Sequence, residues 1–401
     1  MEVGNFLMPV IGGKEDILAG MAGKRTDLYQ TMLKNLVQQA QYMDEHGYYG
    51  MGFTEHHFHV EGEEVSTNPI MLDLYLGMQT KNMKFGQLGN VLPSQNPIRV
   101  AEDIAMLDQM IQGRSFAGFA RGYQPRWVNT LGQQFPGLTD SSDANMENYD
   151  NLKRELYEEH FEIIMKAWEN DTFSHQGKHW QIPPADIHWP AHEVTRKYGQ
   201  GVNDEGILTE IGIAPATYNK AIPDLFQPFS FSDRSVQWAM KNNLSPISII
   251  CDLDIAKKQM LVAQEAAAEN GRNLKFCEGM GMTREIIVAD TDEEAEELAR
   301  NGGSFIWCNF FAPFGFNLAV AREGETLDDI PNTFESIVER GLVIHGSPDT
   351  VNRKLEVLLK ELPVDYLWLL NWNELVPQKG MMRHLELLTE KVLPNFTNSI
   401  S

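Results

Sequence analysis

Adjacent histidines beside a carboxylate, Glu55-His56-His57, close a short apolar run that begins at Gly50. A lone cation, Arg121, closes a second run, Ser115-Phe116-Ala117-Gly118-Phe119-Ala120. An imidazole can take and give protons near neutral pH. An arginine set between Ala120 and Gly122 can grip a phosphate through two N–H groups at once; an ion pair with a carboxylate is the alternative. If strand geometry persists through 50–58, successive side chains point to opposite sides. His56 then faces the ligand as the acid–base group and His57 turns away, with Glu55 able to orient a histidine or to line the ligand pocket. Two satisfied structural histidines are the alternative. His59 adds a third imidazole, but no well-spaced His, Cys or Asp completes a metal site, and none is expected.

Three further stretches carry chemistry. Ser232-Asp233-Arg234-Ser235 leads from a strand into a helix. Ser232 or Asp233 can cap that helix. Its free N–H groups, with the hydroxyls of Ser232 and Ser235 and the charge of Arg234, can also hold a phosphate. Gly86 to Pro93 places two glycines in a strand, where backbone can approach a planar ligand and Asn90 can hydrogen-bond its edge. Trp372, after the last strand, can form an apolar substrate pocket with Phe6 and Met8 of the first.

These residues need elements that bring them to one end of a sheet. Strand-like runs at 3–8, 49–54, 85–92, 115–121, 226–231, 246–251, 283–289 and 365–370 alternate with helical patterns. Pro69 and Pro97 open two of the helices, in the first turn where a missing N–H costs nothing. Eight such pairs predict an α/β fold, a (β/α)8 TIM barrel with its active groups at the carboxyl ends of the strands. Insertions follow the fourth and seventh βα units, in one domain spanning 1–401 with excursions at about 171–222 and 303–339. A doubly wound open sheet is disfavoured because no strand runs into GxGxxG.

The 401 residues include 56 acidic and 33 basic side chains, a net charge of −23. That balance argues against nucleic acid and anionic membrane as partners. Three scattered cysteines, no secretory leader and no membrane-length apolar run point to the cytoplasm.

The chain resembles the bacterial luciferase-like flavin monooxygenases. The resemblance rests on Thr54-Glu55-His56-His57-Phe58, on Gly89-Asn90-Val91-Leu92-Pro93 with Asn96 to Asp103, and on Leu107 to Met110 leading to Gly113-Arg114-Ser115-Phe116 and Arg121-Gly122. Ser232 to Ala239 and Gly346 to Val351 extend it over nearly the whole chain. From the serine-rich turn onward it is similar also to diketocamphane-type monooxygenases. The resemblance implies a barrel that binds reduced FMN, supplied by a separate flavin reductase. It implies oxidation, with O2 and through a flavin 4a-peroxide, of an aldehyde, ketone or other apolar organic substrate. By the same resemblance His56 is the catalytic histidine, Arg121 and Arg154 contact the flavin phosphate, and Ser232 and Ser235 form the phosphate turn. Ala120 stands where luciferase has a reactive cysteine, and Asn90 where it has an apolar residue, so light emission does not follow. A deazaflavin-dependent hydride-transfer enzyme and a non-catalytic flavin-binding protein of the same fold are the alternatives.

Two further expectations concern surfaces. The 171–222 excursion, with Trp180, His188 and Trp189, is expected to help cover the ligand. The helices at 69–81 and 97–111 carry more apolar surface than one core-facing stripe needs, and a homodimer built on them is expected.

Overall fold

The apolar runs of the sequence pair in parallel and close on themselves in a computed structural model that describes residues 1–397 and 400. Eight strands form the ring. They are β1 (Glu2–Leu7), β2 (Gly50–Phe53), β3 (Lys84–Gln87), β4 (Ser115–Ala120), β5 (Asp224–Ser230), β6 (Ser245–Ser248), β7 (Gly281–Val288) and β8 (Tyr366–Asn371), and β8 returns to pair with β1. The (β/α)8 barrel expected from the alternation is therefore the fold. Register shows which side chains point inward. Gly4 of β1 lies level with Trp368 on one side and Gly50 on the other. Tyr49, Phe116, Phe226, Tyr366 and Trp368 meet inside the ring with centroids 5.1 to 6.2 Å apart. Each such pair contributes about 0.5–1.5 kcal/mol beyond its buried area. Gly4 makes room for this packing: a Cβ there would sit 2.5 Å from the Trp368 ring. The inward set is thus even-numbered on β1, β2 and β8.

The connecting helices are α1 (Thr26–Glu45), α2 (Pro69–Gly77), α3 (Pro97–Met110), α4 (Met146–Glu169), α5 (Asp233–Lys241), α6 (Leu253–Glu269), α7 (Asp292–Asn301), α8 (Pro348–Glu361) and α9 (Gln378–Leu387). Pro69 and Pro97 occupy the first turns as expected, and Asn68 and Asn96 cap those helices by accepting main-chain N–H groups. Two local readings need correction. The strand expected over 85–92 stops at Gln87, and Asn90–Val91 pairs separately with β4. Gly89 is required there: a Cβ would lie 2.6 Å from the Gly118 main chain. A short strand, Val343–Gly346, also extends from β7 and was not expected.

The chain divides into two compact units. The first comprises 1–90, 116–119 and 225–401 and holds the body of the barrel; the second comprises 91–115 and 120–224. Within the second, α4 is anchored where the Trp168 indole donates to Ala101 O at 3.0 Å. The 171–222 excursion forms a small hairpin, His175–Gln176 with Gln181–Ile182, and a short helix, His192–Tyr198. The hairpin lies along α4: Trp180 donates its indole N–H to His160 Nε2 at 2.8 Å, and its main-chain N–H to Glu159. The far end is tied to the start of β4, where Asp108 accepts from Tyr218 N at 2.7 Å and from Ser115 Oγ at 2.6 Å. Arg121 lies at the other end of that strand. These anchors set the excursion along α4 and at the start of β4.

Candidate active site

The carboxyl end of β2 carries the histidines. Gly50 and Gly52 face inward, since Cβ atoms there would meet the Phe116 ring and Leu88. The alternation continues past the last ladder residue. Thr54 and His56 share one side, with Oγ1 3.0 Å from Nδ1. Glu55 and His57 share the other, with Oε1 2.9 Å from Nε2. His56 N donates to Ser66 O at 2.9 Å, which folds the following loop back onto the strand end. That loop brings in Glu64, fully buried with φ +47°, and its Oε1 stands 3.3 Å from His56 Nε2. The Thr54 hydroxyl and Nδ1 share a hydrogen bond whose direction follows the imidazole tautomer. Burial holds the His56 pKa well below the ordinary histidine range, and positive charge on His59 or His57 would push it lower still. His56 is therefore neutral at pH 7.

His59 is buried and tethered through Nδ1 to Glu63 O at 2.9 Å. Its ring opens the aromatic side of the site. Phe310 lies 5.1 Å from His59, Phe311 5.6 Å from Phe310, and Trp372 5.6 Å from Phe311. Phe311 also meets Phe316, which meets Phe229, which meets Phe6 at 4.9 Å. The excursion at 303–339, irregular in sequence, thus winds into short helical turns between Gly303 and Val320 and walls the barrel mouth with rings. Phe6 and Trp372, expected in an apolar pocket, stand at two ends of that wall. Met8, expected with them, is fully buried. Glu285 of β7 pins the start of the excursion: its Oε1 accepts from Gly303 N at 3.1 Å, with the Trp372 indole alongside. Burial pushes the Glu285 pKa up to about 8, against the opposing pull of those two donors.

The turn after β5 has the form expected of it. Ser232 accepts from Ser235 N at 3.3 Å, and its hydroxyl donates to Ser235 Oγ at 2.9 Å, so two hydroxyls sit together at the start of α5. Arg234 is exposed beside them. Buried Gln259 on α6 fixes this turn by donating to Ser230 O and Phe231 O while accepting from Ser248 Oγ. Asn90 is buried and its amide pairs with that of Gln87 at 2.9 Å.

In the second unit, Arg121 follows β4 and precedes Gly122, where φ is +74° and a Cβ would strike Val91, Trp127 and Val128. Among the described residues no carboxylate pairs with Arg121, so the ion-pair alternative finds no support. Its charge acts on Lys153 and Tyr157 of α4, and Arg154 acts on Tyr157 as well. Lys153 is buried, which depresses its pKa, and Asp150 opposes that shift from 2.9 Å. Arg121, Lys153, Arg154 and Tyr157 thus form one cationic neighbourhood, of which sequence reading found the arginines. The spacing of Lys153 and Tyr157 on one face of α4 was the available signal. Thr54, Glu64, Gln259 and Glu285 were also missed. Among the described residues no three His, Cys, Asp or Glu converge as metal ligands.

Fold and site define a parallel (β/α)8 barrel whose mouth joins a neutral histidine, an aromatic wall and a hydroxyl-lined helix start. The family profile for luciferase-like monooxygenases matches residues 17–366, and the chain belongs to that family. It is similar to 3,6-diketocamphane 1,6-monooxygenase of Pseudomonas putida, 28% identical over 73% of this chain and 74% of the relative. It is similar also to limonene 1,2-monooxygenase of Rhodococcus erythropolis, 22% identical over 91% and 81%. Among solved structures, the oxygenating constituent of the Pseudomonas putida 3,6-diketocamphane monooxygenase, a type II Baeyer-Villiger monooxygenase in complex with FMN, superposes with TM-score 0.74 at 24% identity over 99% of each chain.

Proposed function

We propose that the protein is an FMN-dependent monooxygenase that takes reduced FMN from a separate reductase and oxidises an apolar carbonyl compound, a cyclic ketone first among candidates. The observation that carries this reading is the buried, neutral His56 at the foot of a phenylalanine wall. The site fits FMN. A helix start with two hydroxyls and Arg234 suits its phosphate. Reduced FMN, when bound, supplies two electrons with which one atom of O2 enters the substrate and the other leaves as water. His56, held by Thr54 at Nδ1, gives or takes a proton at Nε2. The rings of Phe310, Phe311, Phe316 and Phe229 exclude water and hold an apolar substrate.

A deazaflavin-dependent hydride transfer is the second reading, supported by fold likeness to F420-dependent proteins at 13–15% identity. Aerobic and anaerobic turnover of a cyclic-ketone panel with reduced FMN separates the two. Product formed only in air supports oxygenation, and equal conversion without oxygen contradicts it. We further propose a cytoplasmic homodimer. Met71, Tyr75 and Met78 of the α2 region are 67%, 43% and 66% exposed, an apolar patch of the kind that marks an interface. Sedimentation of a double Met71→Lys, Met78→Lys variant should show a monomer, and a monomeric wild type would end that proposal.

A further inference from the structure

Asp73, Gln87 and Asn90 form a buried chain of side chains that runs from α2 past the end of β3. Asp73 of α2 is fully buried, and one of its oxygens, Oδ2, lies 2.5 Å from the Gln87 amide. Gln87, at the end of β3, is also fully buried, and its other amide atom lies 2.9 Å from the Asn90 amide. The remaining Asp73 oxygen, Oδ1, is buried with no hydrogen-bond partner.

We propose that Asp73 is a protonated carboxylic acid that sets the direction of this chain, so that Asn90 presents an N–H donor to the ligand. This deepens the FMN reading, in which Asn90 lies at the edge of the flavin ring. Three observations point the same way. A distance of 2.5 Å is short for N–H···O, whose usual range begins near 2.7 Å, but lies within that of O–H···O. An ionised carboxylate without a cation and with one oxygen unsolvated is among the most costly buried groups, and its ordinary response is to take up a proton. Burial also drives the Asp73 pKa well above the carboxylate range, with the single Gln87 hydrogen bond opposing and no charged side chain acting on it.

The polarity follows from donor and acceptor counting. An amide's oxygen and nitrogen occupy equivalent positions, so the network assigns them. In the structure Gln87 Nε2 faces Asp73 Oδ2 and Asn90 Nδ2 faces Gln87 Oε1; turning both amides over keeps every heavy-atom position and lets an Asp73 O–H on Oδ2 donate to the Gln87 carbonyl oxygen. The Gln87 NH2 then donates to Asn90 Oδ1. That leaves the Asn90 NH2 as the donor at the mouth, suited to a ring acceptor. An ionised Asp73 would reverse every bond and leave Asn90 a carbonyl oxygen instead. Asp73 never touches the ligand; it is a positioning residue.

The first measurement needs no flavin. An infrared difference spectrum of flavin-free wild type minus Asp73→Asn at pH 7 should contain a carboxylic-acid C=O band that shifts in D2O. A carboxylate band in its place overturns the proposal. The second measurement is the oxidised-FMN dissociation constant. Asp73→Asn can still donate to Gln87 and should stay within about threefold of wild type, whereas Asn90→Asp, which has no donor to offer, should weaken binding roughly tenfold or more, the scale of one hydrogen bond. Equal affinity of Asn90→Asp and wild type overturns the stated polarity. If wild type itself fails to bind FMN, the proposed function fails while the infrared result still decides the state of Asp73.

Discussion

Replacing Glu285 by glutamine should change how stability depends on pH. Glu285 is buried on β7, accepts the Gly303 N–H at 3.1 Å and has a pKa raised to about 8 by burial. In an unfolded chain a glutamate titrates near 4.3, so between these values the folded protein binds the extra proton. The stabilising contribution is complete below about pH 4 and is lost as pH rises through 8. The whole gap is worth about 5 kcal/mol at 1.36 kcal/mol per unit, and the part lost between pH 6 and pH 8 about 2 kcal/mol. Glutamine keeps the acceptor oxygen for Gly303 and stays neutral at every pH. The assay is urea unfolding of wild type and Glu285→Gln at pH 6 and pH 8. The stability difference should move by about 2 kcal/mol in favour of the variant at the higher pH. All other titrating groups cancel in that comparison. A difference that stays constant would refute the buried-acid reasoning and leave Glu285 an ordinary ionised clamp.

His56→Ala should keep FMN affinity within a few fold but slow product formation by roughly 10²–10⁴, while His57→Ala should act more on stability than on rate; the reverse order at matched flavin occupancy means that the wrong histidine has been assigned. Because the His56 pKa is depressed, its protonation should leave the rate unchanged between pH 6 and 8, and a rate that follows a pKa near 6.5 would contradict the burial account. Arg121→Ala should weaken reduced FMN by about 10- to 150-fold, the loss of one charge-assisted hydrogen bond; unchanged titration curves would remove Arg121 from the phosphate site. Phe311→Ala and shortening the 175–182 hairpin should each raise hydrogen peroxide released per product formed, and a yield unchanged by the shortened hairpin would end its role as a cover.

The barrel was legible because its signals are local. Each strand is a short run rich in apolar residues, and several helix starts carry a local cap: Asn68, Asn96, Ser232, Asp252 and Thr291. His56 and its orientation were legible for the same reason, since strand alternation fixes which neighbour shares its side. What surrounds His56 was not. Glu64 reaches it by a loop reversal in which Glu64 itself takes a positive φ, and nothing in the spacing announces that. The ring wall escaped because Phe310, Phe311 and Phe316 sit in a segment without a steady period, where successive short helical turns replace one helix. Within the 171–222 excursion, the pairing of Trp180 with His160 was not legible, because it joins residues 20 apart across a helix and a hairpin. Asp73 looked like an ordinary polar helix residue, and only the burial of its whole carboxyl group reveals otherwise.

The central claim is that this site transfers one atom of O2 to an apolar carbonyl substrate with electrons from reduced FMN. The direct test is a single turnover of the protein with reduced FMN and a cyclic ketone under 18O2, with mass analysis of the product. One 18O atom per product molecule, absent when His56→Ala is used for the same time, is the expected result. Product that carries no label, or that forms equally well without oxygen, would contradict the claim.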